Sequence, residues 1–189
     1  PPHLVNILRR FHNGATIRFS SGGRVYIVNN NSGVRTGDTA GPDLFLLCML
    51  AVINYIDWPA GSAPTFCTRD GHHFGLRDSV YADDFFLLFR TREALAEGLG
   101  RLIRAIKDLT GMEVHFATSL AEAASTGSKT VAMCCPRPGI SYNAYDTSPL
   151  AVDCGVGATG YVAFVPETKY LGLVIGFDLG SSAAVNARI

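Results

Sequence analysis

Two adjacent carboxylates, Asp83 and Asp84, lie between two apolar runs in residues 79–89, SVYADDFFLLF. Short strands rich in aromatic and aliphatic residues, separated by a tight polar step, predict a β-hairpin with the acids at its tip. Neighbouring carboxylates repel each other, and setting them beside apolar strands is costly unless a cation neutralises them. Mg²⁺, a hard ion that takes oxygen ligands, does this in phosphoryl-transfer sites. An Asp pair is also the ordinary chemistry of a solvated turn, because Asp hydrogen-bonds its local backbone. Phe86, Leu87, Leu88 and Phe89 follow the acids directly, and a casual surface turn has no need of such a root in the core.

The elements around this hairpin can be read in chain order. Leu4, Ile7, Leu8 and Phe11 have the spacing of a short amphipathic helix, stopped by Asn13-Gly14. Residues 15–20 and 24–28 alternate about Ser21-Gly22-Gly23, which predicts a hairpin. Residues 44–55 form an apolar helix opened by Pro42 and expected to pack beneath a sheet. Residues 58–75, rich in Gly and Pro, read as a loop or loose hairpin; adjacent His72 and His73 have no further ligands at zinc spacing and read as a solvated turn.

Thr91 is placed to cap a helix whose apolar stripe is Leu95, Leu99, Leu102, Ile103, Ile106 and Leu109, ending at Gly111. The face with Glu93, Glu97, Arg101, Arg104, Lys107 and Asp108 is read as solvent-facing, with nucleic-acid contact as the alternative. A short strand is expected over 113–117, and a Pro/Gly/Tyr-containing excursion over 136–160. Gly155, Gly157 and Gly160 spell G-x-G-x-x-G. A strand-like run follows them, whereas a dinucleotide site needs a helix N-terminus there, so a glycine turn in a hairpin is the better reading.

With 189 residues, 48% hydrophobic and 17% charged, the chain can bury a core as one domain or one piece of a larger protein. Sixteen basic and sixteen acidic residues cancel, so the basic excess that usually draws nucleic-acid backbone would have to lie outside this segment. Five cysteines without a metal-type C-x-x-C spacing predict reduced, buried thiols and an intracellular protein. No signal peptide is visible, and the longest apolar stretch, 44–53, falls short of the about 20 residues needed to span a bilayer. The chain begins at Pro1 without an initiator Met, and a fragment of a longer polyprotein is expected.

Tyr81-Ala82-Asp83-Asp84 with its apolar flank resembles the carboxylate hairpin of reverse transcriptases. Residues 33–45, GVRTGDTAGPDLF, are similar to the template- and nucleotide-binding motif of the LINE-type (non-LTR retrotransposon) branch, G-V-R-Q-G-(C/D)-P-L-S-P-x-L-F. Thr36 replaces its glutamine, Thr39 its proline and Gly41 its serine; read without the resemblance, the same stretch could be a loop and helix start. Ser128-Lys129-Thr130 with Met133 resembles the family's S-K-T-x-x-M segment, and Tyr170-Leu171-Gly172 its Y-L-G hairpin, the primer grip. The four motifs come in the family's order and span nearly the whole chain.

The resemblance implies an α+β polymerase palm over residues 1–189, with a mainly antiparallel sheet and helices on one face. The palm core would run to about residue 135 and the primer-grip-like hairpin over 160–178, with the first catalytic strand lying upstream. It implies RNA-directed DNA synthesis by attack of a primer 3′-hydroxyl on the α-phosphate of a deoxynucleoside triphosphate, with Mg²⁺ or Mn²⁺ as cofactor. The partners would be RNA template, DNA primer, deoxynucleoside triphosphates and the rest of the polyprotein, with no membrane. Asp83 and Asp84 would be the catalytic and metal-binding acids. Arg35, Thr36, Gly37, Tyr81 and Ala82 would bind nucleotide or template. Lys129 would stabilise the departing pyrophosphate, although an exposed lysine at a strand start is its plain alternative. Two other readings remain: a non-catalytic RNA-binding descendant of the palm, and an RNA-directed RNA polymerase palm. Because the family's third carboxylate is expected upstream, these 189 residues alone should give no product in a primer-extension assay; robust synthesis would show that another acid here completes the site.

Overall fold

Gly22 and Gly23 carry φ of 58° and 76°, the left-handed pair that a two-residue hairpin turn demands. They join β1 (Thr16–Ser21) to β2 (Arg24–Asn29) in the expected antiparallel hairpin. The computed structural model describes Gly14 and residues 16–29, 39–124, 129–135, 140–155 and 157–176. The helix expected over 4–11 and the motif residues Arg35, Thr36 and Gly37 lie outside the described residues. The chain divides into two compact units, Pro1–Leu50 and Ala51–Ile189.

Helix α1 (Gly41–Tyr55) has Pro42 in its first turn, where a missing N–H costs nothing. Its apolar composition led to the expectation that it packs beneath a sheet. Met49 and Val52 are buried, but Leu46, Leu47, Leu50 and Tyr55 are exposed, so only one stripe of the helix is covered.

The second unit is mixed α+β. It contains β3 (Thr65–Cys67), β4 (His73–Gly75), β5 (Asp78–Tyr81), β6 (Asp84–Leu87), α2 (Arg92–Thr110), α3 (Leu120–Ala124), β7 (Val131–Ala132), β8 (Leu150–Gly155), β9 (Ala158–Phe164), β10 (Glu167–Tyr170) and β11 (Leu173–Gly176). Strands β3–β4, β5–β6 and β10–β11 are separate two-stranded antiparallel hairpins, and β7, β9 and β8 form a three-stranded sheet with β7 parallel to β9. The continuous sheet expected of a palm is therefore divided, among the described residues, into small sheets.

Helix α2 is capped as its residues dictate. The Thr91 side chain accepts the Ala94 N–H at 3.1 Å, and Gly111, at φ 71°, donates its N–H to the Lys107 carbonyl at 2.9 Å. Leu99 and Ile103 meet Ala132, Val152 and Val162 in the core, with Leu87, Leu95, Val114, Phe116, Leu150 and Phe164 packed around them. Burying each large aliphatic side chain contributes about 1.5–3 kcal/mol. The charged face is less purely solvent than expected. Arg101 bonds Glu97 at 2.6 Å and the Asp57 carboxylate at 3.2 Å, and Arg104 reaches Asp153 at 3.2 Å.

Two expectations fail, each for its own reason. No strand forms over 113–117, where only Ala117 bridges to Tyr161, because Val114 and Phe116 act as lids on the core. The supposed excursion over 136–160 contains β8 and the start of β9; the buried Val152 of β8 is hidden in sequence among Ala, Asp, Cys and Gly, whereas the strand-like run after Gly160 is β9 as expected. The G-x-G-x-x-G glycines do turn a hairpin: Gly155 and Gly157 have φ of 84° and 74°. Gly160 is packed so tightly that a Cβ would lie 2.9 Å from the Cys154 sulfur. The thiols are free, but Cys48, Cys67 and Cys135 are exposed, contrary to the burial expected for them.

Gly100 faces the β8 backbone so closely that a Cβ would stand 2.8 Å from the Asp153 carbonyl oxygen. Overpacking of this kind costs about 1–3 kcal/mol and outweighs the gain of about 1 kcal/mol that alanine brings to a helix interior. Gly100→Ala should therefore lower the urea midpoint, read by circular dichroism, whereas a rise would mean that helix and strand are not in contact there.

Candidate active site

The acids come to the tip of the β5–β6 hairpin because Tyr81 pairs with Asp84, leaving Ala82 and Asp83 as a two-residue turn. Ala82 takes φ 52°, a left-handed conformation that costs a non-glycine residue about 1–2 kcal/mol. Such strain held at a loop tip is characteristic of functional sites. Asp83, Asp84 and Tyr81 are all exposed, Tyr81 at 66%.

Strand periodicity divides the hairpin into two faces. Val80, Phe85 and Leu87 share one of them, and Leu87 packs on the α2–β8–β9 core. Tyr81, Asp84, Ser79 and Phe86 share the other. There the Tyr170 ring lies 5.4 Å from that of Phe86, centroid to centroid, and its hydroxyl stands 3.5 Å from the Ser79 carbonyl oxygen, the limit of a hydrogen bond. The β10–β11 hairpin carrying Tyr170 turns through Leu171 and Gly172, at φ 49° and 81°. The carboxylate hairpin and the Y-L-G hairpin are thus neighbours, each with a non-glycine residue in the left-handed region at its tip.

The hairpin's base is held by groups that sequence reasoning passed over. The Arg77 guanidinium stacks 4.5 Å from the Trp58 ring and bonds Asp78 at 3.2 Å, and Trp58 lies 6.1 Å from Phe89. Arg90 donates to the Ala63 carbonyl and the Thr65 hydroxyl. Nothing local in the sequence signals these contacts, which join separate segments; only the aromatic content of 85–89 hinted at a packed root.

Lys129 is exposed just before β7, a strand of the three-stranded sheet, and the carboxylates lie on the β5–β6 hairpin, a separate sheet. The neighbouring Thr130 hydroxyl donates to the His115 carbonyl at 2.9 Å. Hydrogen bonds from Ser148 hold Asp146 below the usual carboxylate range, and burial pushes the Cys134 thiol up. Among the described residues no group of three or more His, Cys, Asp or Glu could hold a metal. The donor chemistry at the tip nevertheless suits Mg²⁺, which commonly takes one or two carboxylates and fills its remaining positions with waters and substrate phosphates.

No protein-family model matches the chain, and no curated protein and no solved structure does so either. Fold and site define a class only: an α+β unit presenting two neighbouring carboxylates on a strained hairpin tip. Among the described residues, no helix is long and apolar enough to cross a membrane.

Replacing Ala82 by glycine removes the left-handed penalty of about 1–2 kcal/mol at an entropic cost of about 0.5–1 kcal/mol. Ala82→Gly should therefore raise stability slightly in urea denaturation with an unchanged m-value; a loss of stability would mean that the turn is not left-handed at this residue.

Proposed function

We propose that this chain is part of the palm of a template-directed nucleotidyltransferase of the reverse transcriptase type, working inside the cell on an RNA template, a DNA primer and deoxynucleoside triphosphates. The observation that carries the reading is the contact of Tyr170 with Phe86 and Ser79. It brings together two motifs, Y-A-D-D and Y-L-G, that resemble the same family and lie far apart in sequence. Asp83 and Asp84 would hold Mg²⁺, which supplies charge neutralisation at the attacking and leaving oxygens. The chain's own part is positional. The Ala82 turn projects both acids from a rooted hairpin, Tyr81 would offer its exposed ring to the primer or template, and the β10–β11 hairpin, joined to the same face through Tyr170, would hold the primer end.

A second reading is a palm that binds RNA without catalysis. It is favoured by the exposure of both acids with no third acid grouped beside them among the described residues, and by Thr36 standing where the motif has glutamine. Calorimetric titration with Mn²⁺ and an RNA-binding assay separate the two. On the polymerase reading, Asp83→Asn weakens Mn²⁺ binding by about tenfold or more, at least ~1.4 kcal/mol. Metal affinity indifferent to Asp83, with RNA binding retained, would replace it by the second.

A further inference from the structure

All twelve strand residues of the β1–β2 hairpin are exposed on both faces, and among the described residues no third strand pairs with either edge. Such a ribbon is only marginally stable alone. The β2 edge has little of the usual edge protection: it carries no proline, lysine or bulge, and its one charge, Arg24, sits beside the turn. Ile17, Phe19, Val25, Tyr26, Ile27 and Val28 are all exposed, Ile27 most of all at 67%.

The register shows which edge is open and to what. In a hairpin closed by a two-residue turn the flanking pair, Ser21 and Arg24, exchanges hydrogen bonds, and bonded rungs then alternate along the ladder. The N–H and C=O groups of Val25, Ile27 and Asn29 on β2, and of Thr16, Arg18 and Ser20 on β1, therefore point away from the hairpin. An antiparallel partner identical to β2 can use all three outward residues only if the two-fold axis passes through Ile27. Val25 then opposes the partner's Asn29, Tyr26 opposes the partner's Val28, and Ile27 opposes its own copy. No charge meets a like charge. The equivalent arrangement of β1 sets Arg18 directly against the partner's Arg18, which is destabilising.

We propose that the β2 edge of this hairpin pairs with β2 of a second copy of the chain, giving an isologous dimer with a four-stranded sheet centred on Ile27. The pairing satisfies the outward backbone groups of both strands and places Val25, Tyr26, Ile27 and Val28 beside apolar or uncharged neighbours. Because the same edge appears on both sides of the axis, the assembly closes at two copies.

Light scattering on the size-fractionated chain at micromolar concentration tests this. The expected mass is twice the 20.2 kDa of one chain. Ile27→Glu, which sets two carboxylates against each other on the axis while facing its own chain's Arg18 across the hairpin, should return the mass to one chain with the far-ultraviolet dichroism unchanged. Ile27→Pro, whose ring removes the outward N–H while leaving the hairpin's own ladder bonds in place, should do the same, and Arg18→Glu on the other edge should leave the dimer intact. A wild-type monomer, a dimer indifferent to both Ile27 variants, a dimer lost on Arg18→Glu, or open-ended filaments would each overturn the proposal.

Discussion

The second unit depends on how closely helix α2 approaches its neighbours. Gly98 lies against the ring of Phe89 and Gly100 against the Asp153 carbonyl, and a side chain at either position would hold the helix off. Glycine weakens a helix interior by about 1 kcal/mol, so two of them within three residues mark where tertiary packing has overridden local preference. The approach sets the depth at which Leu99 and Ile103 meet Val152 and Val162, and Leu87 enters the same cluster from β6. The carboxylate hairpin is thus positioned by a contact made well away from its acids.

Register then decides what the tip presents. Strand side chains alternate in direction, so slipping β6 by one residue would turn Leu87 towards Tyr170 and direct Asp84 at the core. Burying an ionised carboxylate without a partner is prohibitive, and this excludes the slipped form. With Tyr81 fixed opposite Asp84, only two residues remain to reverse the chain, and Ala82 must take the left-handed conformation. The strain at Ala82 follows from the burial of Leu87, and a larger side chain there would meet the same backbone requirement.

Much of this was legible in the sequence where the signal is local. The Ser-Ser-Gly-Gly turn, the Thr91 and Gly111 caps, the stripe through Leu99 and Ile103 and the two-strand pattern around Asp83 each state a conformation within a few residues. The strand-like run of β9 and the glycine turn before it were legible too, but strand β8 was not, because Ala, Asp, Cys and Gly along it dilute the pattern around Val152. Nor was the partnership of Phe86 with Tyr170, since periodicity shows which face a residue occupies and not what covers it. Helix α1 and the exposed thiols erred in the opposite direction: apolar character was taken to imply burial, although much of any protein's surface is apolar.

Formal neutrality takes on a more specific meaning once the ion pairs are placed. Arg77, Arg92, Arg101, Arg104 and Lys107 each face an acid, Asp78, Asp146, Asp57 with Glu97, Asp153 and Glu113 respectively. Arg90 is committed to a carbonyl and a hydroxyl. These cations hold segments together, and exposed pairs of this kind contribute at most about 1 kcal/mol each to stability, but their charge is already answered and does little to attract phosphate. Counterion release scales with the number of phosphates neutralised, so these cations would add little to an electrostatic hold on nucleic acid. A strand bound at the tip would owe its position to other terms: stacking on the exposed ring of Tyr81 and phosphate oxygens bridged by metal to Asp83 and Asp84. Both act only where the hairpin presents them, so binding here would report the geometry of the tip more than the charge of the chain.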